Sequence, residues 1–203
     1  MAPPALRTAA NPPTLDPNHQ GETTMARFPL ITSKDQLAPK DHAIADGIIG
    51  SRGSLHGPFS VFLHSPEVAG RMAHLGAYVR FEGTLDMRIR VLAAMTVARE
   101  FDAAYVWGAQ TGAARKRNVP ESTIAAIKAD KSDGIPAEDL AVVEFTRDLL
   151  RKHRVTDEAA AAMRQRLGDD AFIQLTSAIG YYSMLAMTVN ACELEPAAGA
   201  DTL

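Results

Sequence analysis

The 203-residue chain has a single cysteine, Cys192. One thiol forms no internal disulfide and assembles neither a CxxC redox pair nor a Cys/His zinc cluster, so dithiol chemistry and most structural zinc are excluded. Positive charge is not in excess either. Lys+Arg 21 against Asp+Glu 24 leaves a net charge of -3, which provides no basic field for nucleic acid phosphates or an anionic membrane. Aromatics are few, at 6% of the chain, and strand signals are nearly absent. The one strand candidate, Phe59 to Leu63, is too short to build a sheet alone. Neither GxGxxG nor GxxxxGKS/T occurs, so no phosphate loop is expected.

Only one stretch is long and uncharged, the 22 residues 171–192 between Asp170 and Glu193. Its length would permit a membrane span. Gln174, Thr176, Ser177, Ser183, Thr188 and Asn190 interrupt it, and acids rather than Lys/Arg flank it, so a buried core helix is expected, with Met184, Leu185 and Met187 in the core. The first 25 residues hold five of the twelve prolines and no apolar run of signal-peptide length, so residues 1–26 read as a disordered or extended arm. A soluble, cytoplasmic protein is the expectation.

What is present is helix punctuation. Ser65-Pro66-Glu67 supplies a capping hydroxyl, a first-turn proline and an early acid ahead of Val68, Met72, Leu75 and Val79, an i, i+4, i+7, i+11 stripe that Gly83 closes. Thr84 and Asp86 open a helix through Ile89, Val91, Leu92, Met95 and Val97, apolar on nearly every side and therefore central. Further helices run through Tyr105 and Trp107, from Pro120, from Pro136 to near Lys152, and from a Thr156 cap to Gly168. The expected architecture is all-α, seven or eight helices in one domain over residues 27–195, followed by a tail over 196–203.

The order of several segments is distinctive: RFPLI, SRGxxxGPF at Ser51 to Phe59, LHSPE at Leu63 to Glu67, YVRFEGTLDMRIR at Tyr78 to Arg90, AREFDAAYVWGAQ at Ala98 to Gln110, and GYY at Gly180 to Tyr182. Together they resemble the carboxymuconolactone decarboxylase family, which also holds the AhpD alkylhydroperoxidases. The resemblance implies an all-helical AhpD-like subunit, homo-oligomers (commonly trimers or hexamers) and small-molecule pockets near subunit contacts. One branch reduces peroxides with a CxxC pair, whose positions here are Ala103 and Val106; thiol peroxidase activity is therefore disfavoured. The other branch decarboxylates 4-carboxymuconolactone in aromatic-compound catabolism. Two family features are replaced. Val91 stands where a glutamate usually follows the residue matching Arg90, and Gln110 stands where a histidine usually lies three residues beyond the one matching Trp107.

Such a decarboxylation needs a cation for the carboxylate, a donor for the enolate oxygen and a proton source. Arg80 and Arg90 lie in apolar helical stretches and are the candidate carboxylate ligands; the competing expectation is an internal ion pair with Glu82, Asp86, Glu100 or Glu144. Of His56, His64 and His74, which could replace the missing base, His64 is placed first because LHSPE leads into a helix; a bond to a loop carbonyl is its bland alternative. Gln110 can orient a ligand but not shuttle a proton. Trp107, Phe59 and Tyr182 are expected to line the pocket, with core packing as the alternative for Trp107 and Tyr182. Gly53, Gly57 and Pro58 suggest a shaped loop before Phe59. Tyr181 and Tyr182 differ by about 100° around a helix, so one of them at most should face a given pocket squarely. No metal and no cofactor are expected. The function reads as an enzyme acting on a small cyclic carboxylic acid or lactone, or else a non-catalytic binding or assembly protein on the same scaffold.

Overall fold

The computed structural model describes residues 26–203. The expected proline-rich arm lies outside the described residues except for Ala26. Among the described residues there is no strand, and the chain forms eight α-helices: α1 (His42–Arg52), α2 (Phe59–Phe62), α3 (Pro66–Ala77), α4 (Met87–Glu100), α5 (Ala104–Arg115), α6 (Glu121–Lys128), α7 (Ala137–Arg151) and α8 (Asp157–Ala191). Short 3-10 turns precede α1, and a π-helical turn, Tyr78–Glu82, continues α3.

Helix α4 is the axis. The Asp86 carboxylate caps it by accepting from the Arg88 and Ile89 amides, and every residue from Ile89 to Ala98 is buried. It packs against α5, α7 and α8. Each fully buried valine, leucine or methionine there contributes roughly 1.5–3 kcal/mol of apolar burial. Its one buried cation is Arg90.

The ends of these helices are tied by charge. Arg88 on α4 holds the buried Asp139 carboxylate of α7 through Nε at 3.0 Å and Nη2 at 2.6 Å. Arg151 on α7 bonds Glu100 of α4 and Asp130. Thr156 caps α8 through the Ala159 amide. Gly168, at φ 77 and ψ 168, breaks α8 where the sequence suggested a terminus, and a second helical segment continues at once through the uncharged stretch.

Three expectations are corrected. Phe59 to Leu63 is a helical turn, because Pro58 enters with helical dihedrals and its carbonyl accepts from the Phe62 amide at 3.0 Å. Ser65 precedes Pro66 at the start of α3, but its hydroxyl makes no capping bond. The apolar stripes are only partly core: Val68 (44% exposed), Leu75, Met184 and Met187 (52%) face outward, while Met72 and Leu185 are buried. With Tyr78, Phe81 and Ile173 they leave apolar surface on α3, the π-helical turn and α8 uncovered.

The tail over 196–203 is docked on α5. Asp201 accepts from Arg115 Nη1 and Nη2 at 2.7 and 2.9 Å and from the Thr111 hydroxyl at 2.8 Å. Gly108 makes room for it, since a Cβ there would lie 2.8 Å from that of Ala200. No helix of the described residues is long and apolar enough to cross a membrane.

Candidate functional site

A cavity of about 340 Å³ opens between α1, the loop before α2, the π-helical turn, α5 and α8. That volume suits a small ligand. Helix α5 presents Tyr105, Val106, Ala109 and Gln110, an i, i+1, i+4, i+5 set that spans one face. Trp107 falls outside that arc, is 1% exposed and sits in the core, so its expected place in the pocket is not observed. Helix α8 presents Tyr181, Tyr182 and Leu185. Leu185 projects between the two tyrosines, and both of them line the cavity, contrary to the expectation of one at most.

Two glycines let aromatic side chains come close. Gly57 turns the loop at φ 72, and a Cβ on it would stand 2.3 Å from the Tyr105 hydroxyl. Gly76 on α3 is backed by the Tyr181 hydroxyl at 2.3 Å and Arg52 Nη2 at 2.8 Å, measured to the same imagined atom. The loop with Gly53, Gly57 and Pro58 is thus shaped as expected, and it brings Ser54, His56 and Pro58 to the cavity.

The lining carries two guanidiniums and no acid. Arg52 donates to the Ser51 hydroxyl at 2.5 Å and the Ala73 carbonyl at 2.9 Å and lies 4.4 Å over the Phe59 ring, while its Nε finds no partner. Burial pushes Arg52 below its ordinary value, partly offset by the adjacent Tyr181 phenol, with Arg80 pushing it the same way as burial. It remains a cation at neutral pH. Arg80, on the π-helical turn, stacks on Phe81 at 4.8 Å and forms no ion pair among the described residues. Burial raises the Tyr105 and Tyr181 phenols above the usual tyrosine range, against the pull of Arg80 on Tyr105 and Arg52 on Tyr181. Both are therefore neutral donors at pH 7. The Gln110 carbonyl oxygen is buried at the cavity without a partner.

Of the residues expected from sequence, Arg80, Gln110, Phe59 and Tyr182 line the cavity. His64 does not. It is exposed, bonds the Pro29 carbonyl at 2.7 Å and packs against Phe28, whereas His56 takes the place at the cavity that His64 was expected to fill. Arg90 does not line the cavity; it lies behind Tyr182 and donates to its hydroxyl at 2.5 Å. Neither arginine makes the internal ion pair considered for it: Glu100 is taken by Arg151, Glu144 by Arg147, and Asp86 by the start of α4. Sequence reasoning missed Arg52, Ser51, Ser54, Val106, Ala109 and Leu185. A signal for Arg52 existed, a cation closing the apolar α1 directly before Gly53.

No family model and no curated protein matches the sequence. Solved structures do. One similar chain is an alkylhydroperoxidase AhpD core, an uncharacterized peroxidase-related protein from Ralstonia eutropha JMP134, with a TM-score of 0.71 at 14% identity over 87% of this chain and 95% of that one. The chain has the AhpD-like fold. Another similar structure is a protein of unknown function from Agrobacterium tumefaciens described under antioxidant defence and AhpD, with a TM-score of 0.60 at 16% identity over 70% of this chain and 98% of that one. Of the two positions that the sequence resemblance assigns to a CxxC pair, Ala103 is fully buried and Val106 lines the cavity. Cys192 is buried at the far end of α8, where burial raises its thiol.

Proposed function

We propose that the cavity binds a small cyclic carboxylic acid or lactone, and that the protein is a carboxymuconolactone decarboxylase-like enzyme working without a cofactor in aromatic-compound catabolism. The observation that carries this reading is the pair Arg52 and Arg80 at a cavity with no acidic lining residue. Guanidiniums left without carboxylates at a partly desolvated site favour an anion, which they can hold with two donors each. In such a site Arg52 and Arg80 anchor the acid, and Phe59, Phe81 and Leu185 pack its ring. The carbon–carbon bond to the departing carboxylate breaks, its electron pair moves onto a conjugated carbonyl oxygen, and carbon dioxide leaves. Neutral phenols are suited to stabilise that oxygen. His56, which lines the cavity, serves as the proton source that quenches the carbanion, with Gln110 as an orienting group.

Incubation with 4-carboxymuconolactone and related lactone acids under ultraviolet detection tests the reaction. Turnover lost in Arg80→Met supports the enzyme. A thermal shift by the same acids without turnover moves the protein to the alternative, a non-catalytic small-molecule binding or assembly protein, which the replacement of the family's glutamate and histidine by Val91 and Gln110 favours. Cytoplasmic placement belongs to this proposal, as does a homo-oligomer, trimer or hexamer. The uncovered Leu75, Tyr78, Phe81, Ile173, Met184 and Met187 support the oligomer. Light scattering at micromolar concentration should give a multiple of 21.8 kDa, and a clean monomer would count against it.

A further inference from the structure

Arg90 is a cation at the centre of the protein with no carboxylate to balance it. It is 6% exposed on the axial helix α4, its Nε lacks a partner, and its observed side-chain bond is the one from Nη1 to the Tyr182 oxygen. Burying an unpaired guanidinium is costly, so its presence there calls for a compensating role. Its geometry suggests one. Guanidinium groups only donate, so the Tyr182 oxygen spends a lone pair on Arg90 and the phenolic hydrogen must point elsewhere. No residue among those described accepts that hydrogen, and the surface Tyr182 presents is the cavity wall. The ring is held in place by an edge contact with Tyr181, 83° between planes at 5.3 Å, which fixes the position of the phenolic oxygen.

We propose that Arg90 is a positioning residue: by holding the Tyr182 oxygen from behind, it aims and polarises the Tyr182 O–H as a donor to an anionic oxygen of the ligand. This rests on the reading of the cavity as an anion site and adds a second, distinct element to it. Arg52 and Arg80 supply charge to a carboxylate. The Arg90–Tyr182 pair supplies a directed donor from the buried Tyr182 side of the cavity, for an enolate or phenolate oxygen. Hydrogen bonds passed through a polarised hydroxyl strengthen as charge builds on the acceptor, so the pair should favour the oxyanion over its neutral form.

The test uses 4-nitrophenol, whose yellow phenolate and colourless phenol are distinguished by absorbance, with benzoate as a separate probe of Arg52 and Arg80. Wild-type protein should enrich the bound phenolate. Tyr182→Phe and Arg90→Met should each weaken phenolate binding about tenfold, and Arg90→Lys should recover part of that loss. Arg90→Met added to Tyr182→Phe should cost nothing further, which a merely structural role for Arg90 would not produce. If Arg90→Met does not fold, Arg90→Lys and Tyr182→Phe carry the same comparison. Unchanged phenolate affinity in Tyr182→Phe, or an Arg90 effect of equal size with and without the Tyr182 hydroxyl, overturns the proposal while benzoate binding leaves the anion site standing. Absence of binding by both probes to the wild type overturns both.

Discussion

Gly57→Ala offers a way to separate the two reasons for glycine in the loop that frames the cavity. The first is conformational: at φ 72 a Cβ costs about 1–2 kcal/mol. The second is steric. The added carbon would stand 2.3 Å from the Tyr105 hydroxyl and 3.3 Å from the next ring atom, so either the loop or the ring must move. Overpacking of that kind costs about 1–3 kcal/mol, and the two contributions together predict a loss of about 2–5 kcal/mol. In a Tyr105→Phe background the nearest atom is gone, and the remaining 3.3 Å contact is tight but not prohibitive. There Gly57→Ala should cost only the conformational part, about 1–2 kcal/mol. Urea denaturation of wild type, both single variants and the double variant gives the coupling directly. An equal cost of Gly57→Ala in both backgrounds would refute the close approach of Tyr105 to the loop.

The tail should act as an acid-sensitive clamp. Arg115 and Thr111 hold the Asp201 carboxyl down at about 2, below its unfolded value, so its contribution is present above the unfolded value and lost as pH falls toward 2. Melting curves between pH 5 and pH 2 should therefore show a smaller acid-dependent loss for Asp201→Asn than for wild type, and identical pH dependence would contradict the clamp. Arg88→Ala strands the Asp139 carboxylate, which is 2% exposed, and should destabilise the fold by about 3–5 kcal/mol; a loss under about 1 kcal/mol would show that the pair is dispensable. Cys192→Ser should leave any hydroperoxide turnover at background, because burial raises the lone thiol and no second thiol resolves it. Robust peroxide reduction abolished by that change would reverse the conclusion.

The fold was readable because its signals are local. Asp86 and Thr156 cap helices where hydrogen-bonding side chains precede apolar runs, Gly168 breaks α8, and the run from Ile89 to Ala98 is buried because, Arg90 and Thr96 apart, it is apolar on every side. The site was readable only in part, because it is assembled from four separate stretches of sequence whose relative rotation no spacing reveals. Trp107 and Val106 are neighbours in sequence, yet one is core and the other cavity wall. His64 and His56 flank the same GPF turn, but the backbone folds so that His64 meets the Pro29 carbonyl and His56 the cavity. Arg90 is visible in the sequence as a cation in an apolar stretch, while its partner, Tyr182, lies 92 residues away on α8. The outward-facing Met184 and Met187 show the same limit, since a helix without charges carries no mark of which side its neighbours cover.

Arg52 and Arg80 make the proposed cavity site selective for anions, and a calorimetric titration of benzoate against benzamide measures that selectivity. The two ligands share shape and ring, and differ in charge. Wild-type protein should bind benzoate at least about tenfold more tightly than benzamide, and Arg52→Met or Arg80→Met should erase most of that preference while benzamide affinity changes little. Equal affinity for the two ligands in the wild type, or a preference for benzoate that survives loss of both guanidiniums, would contradict the account.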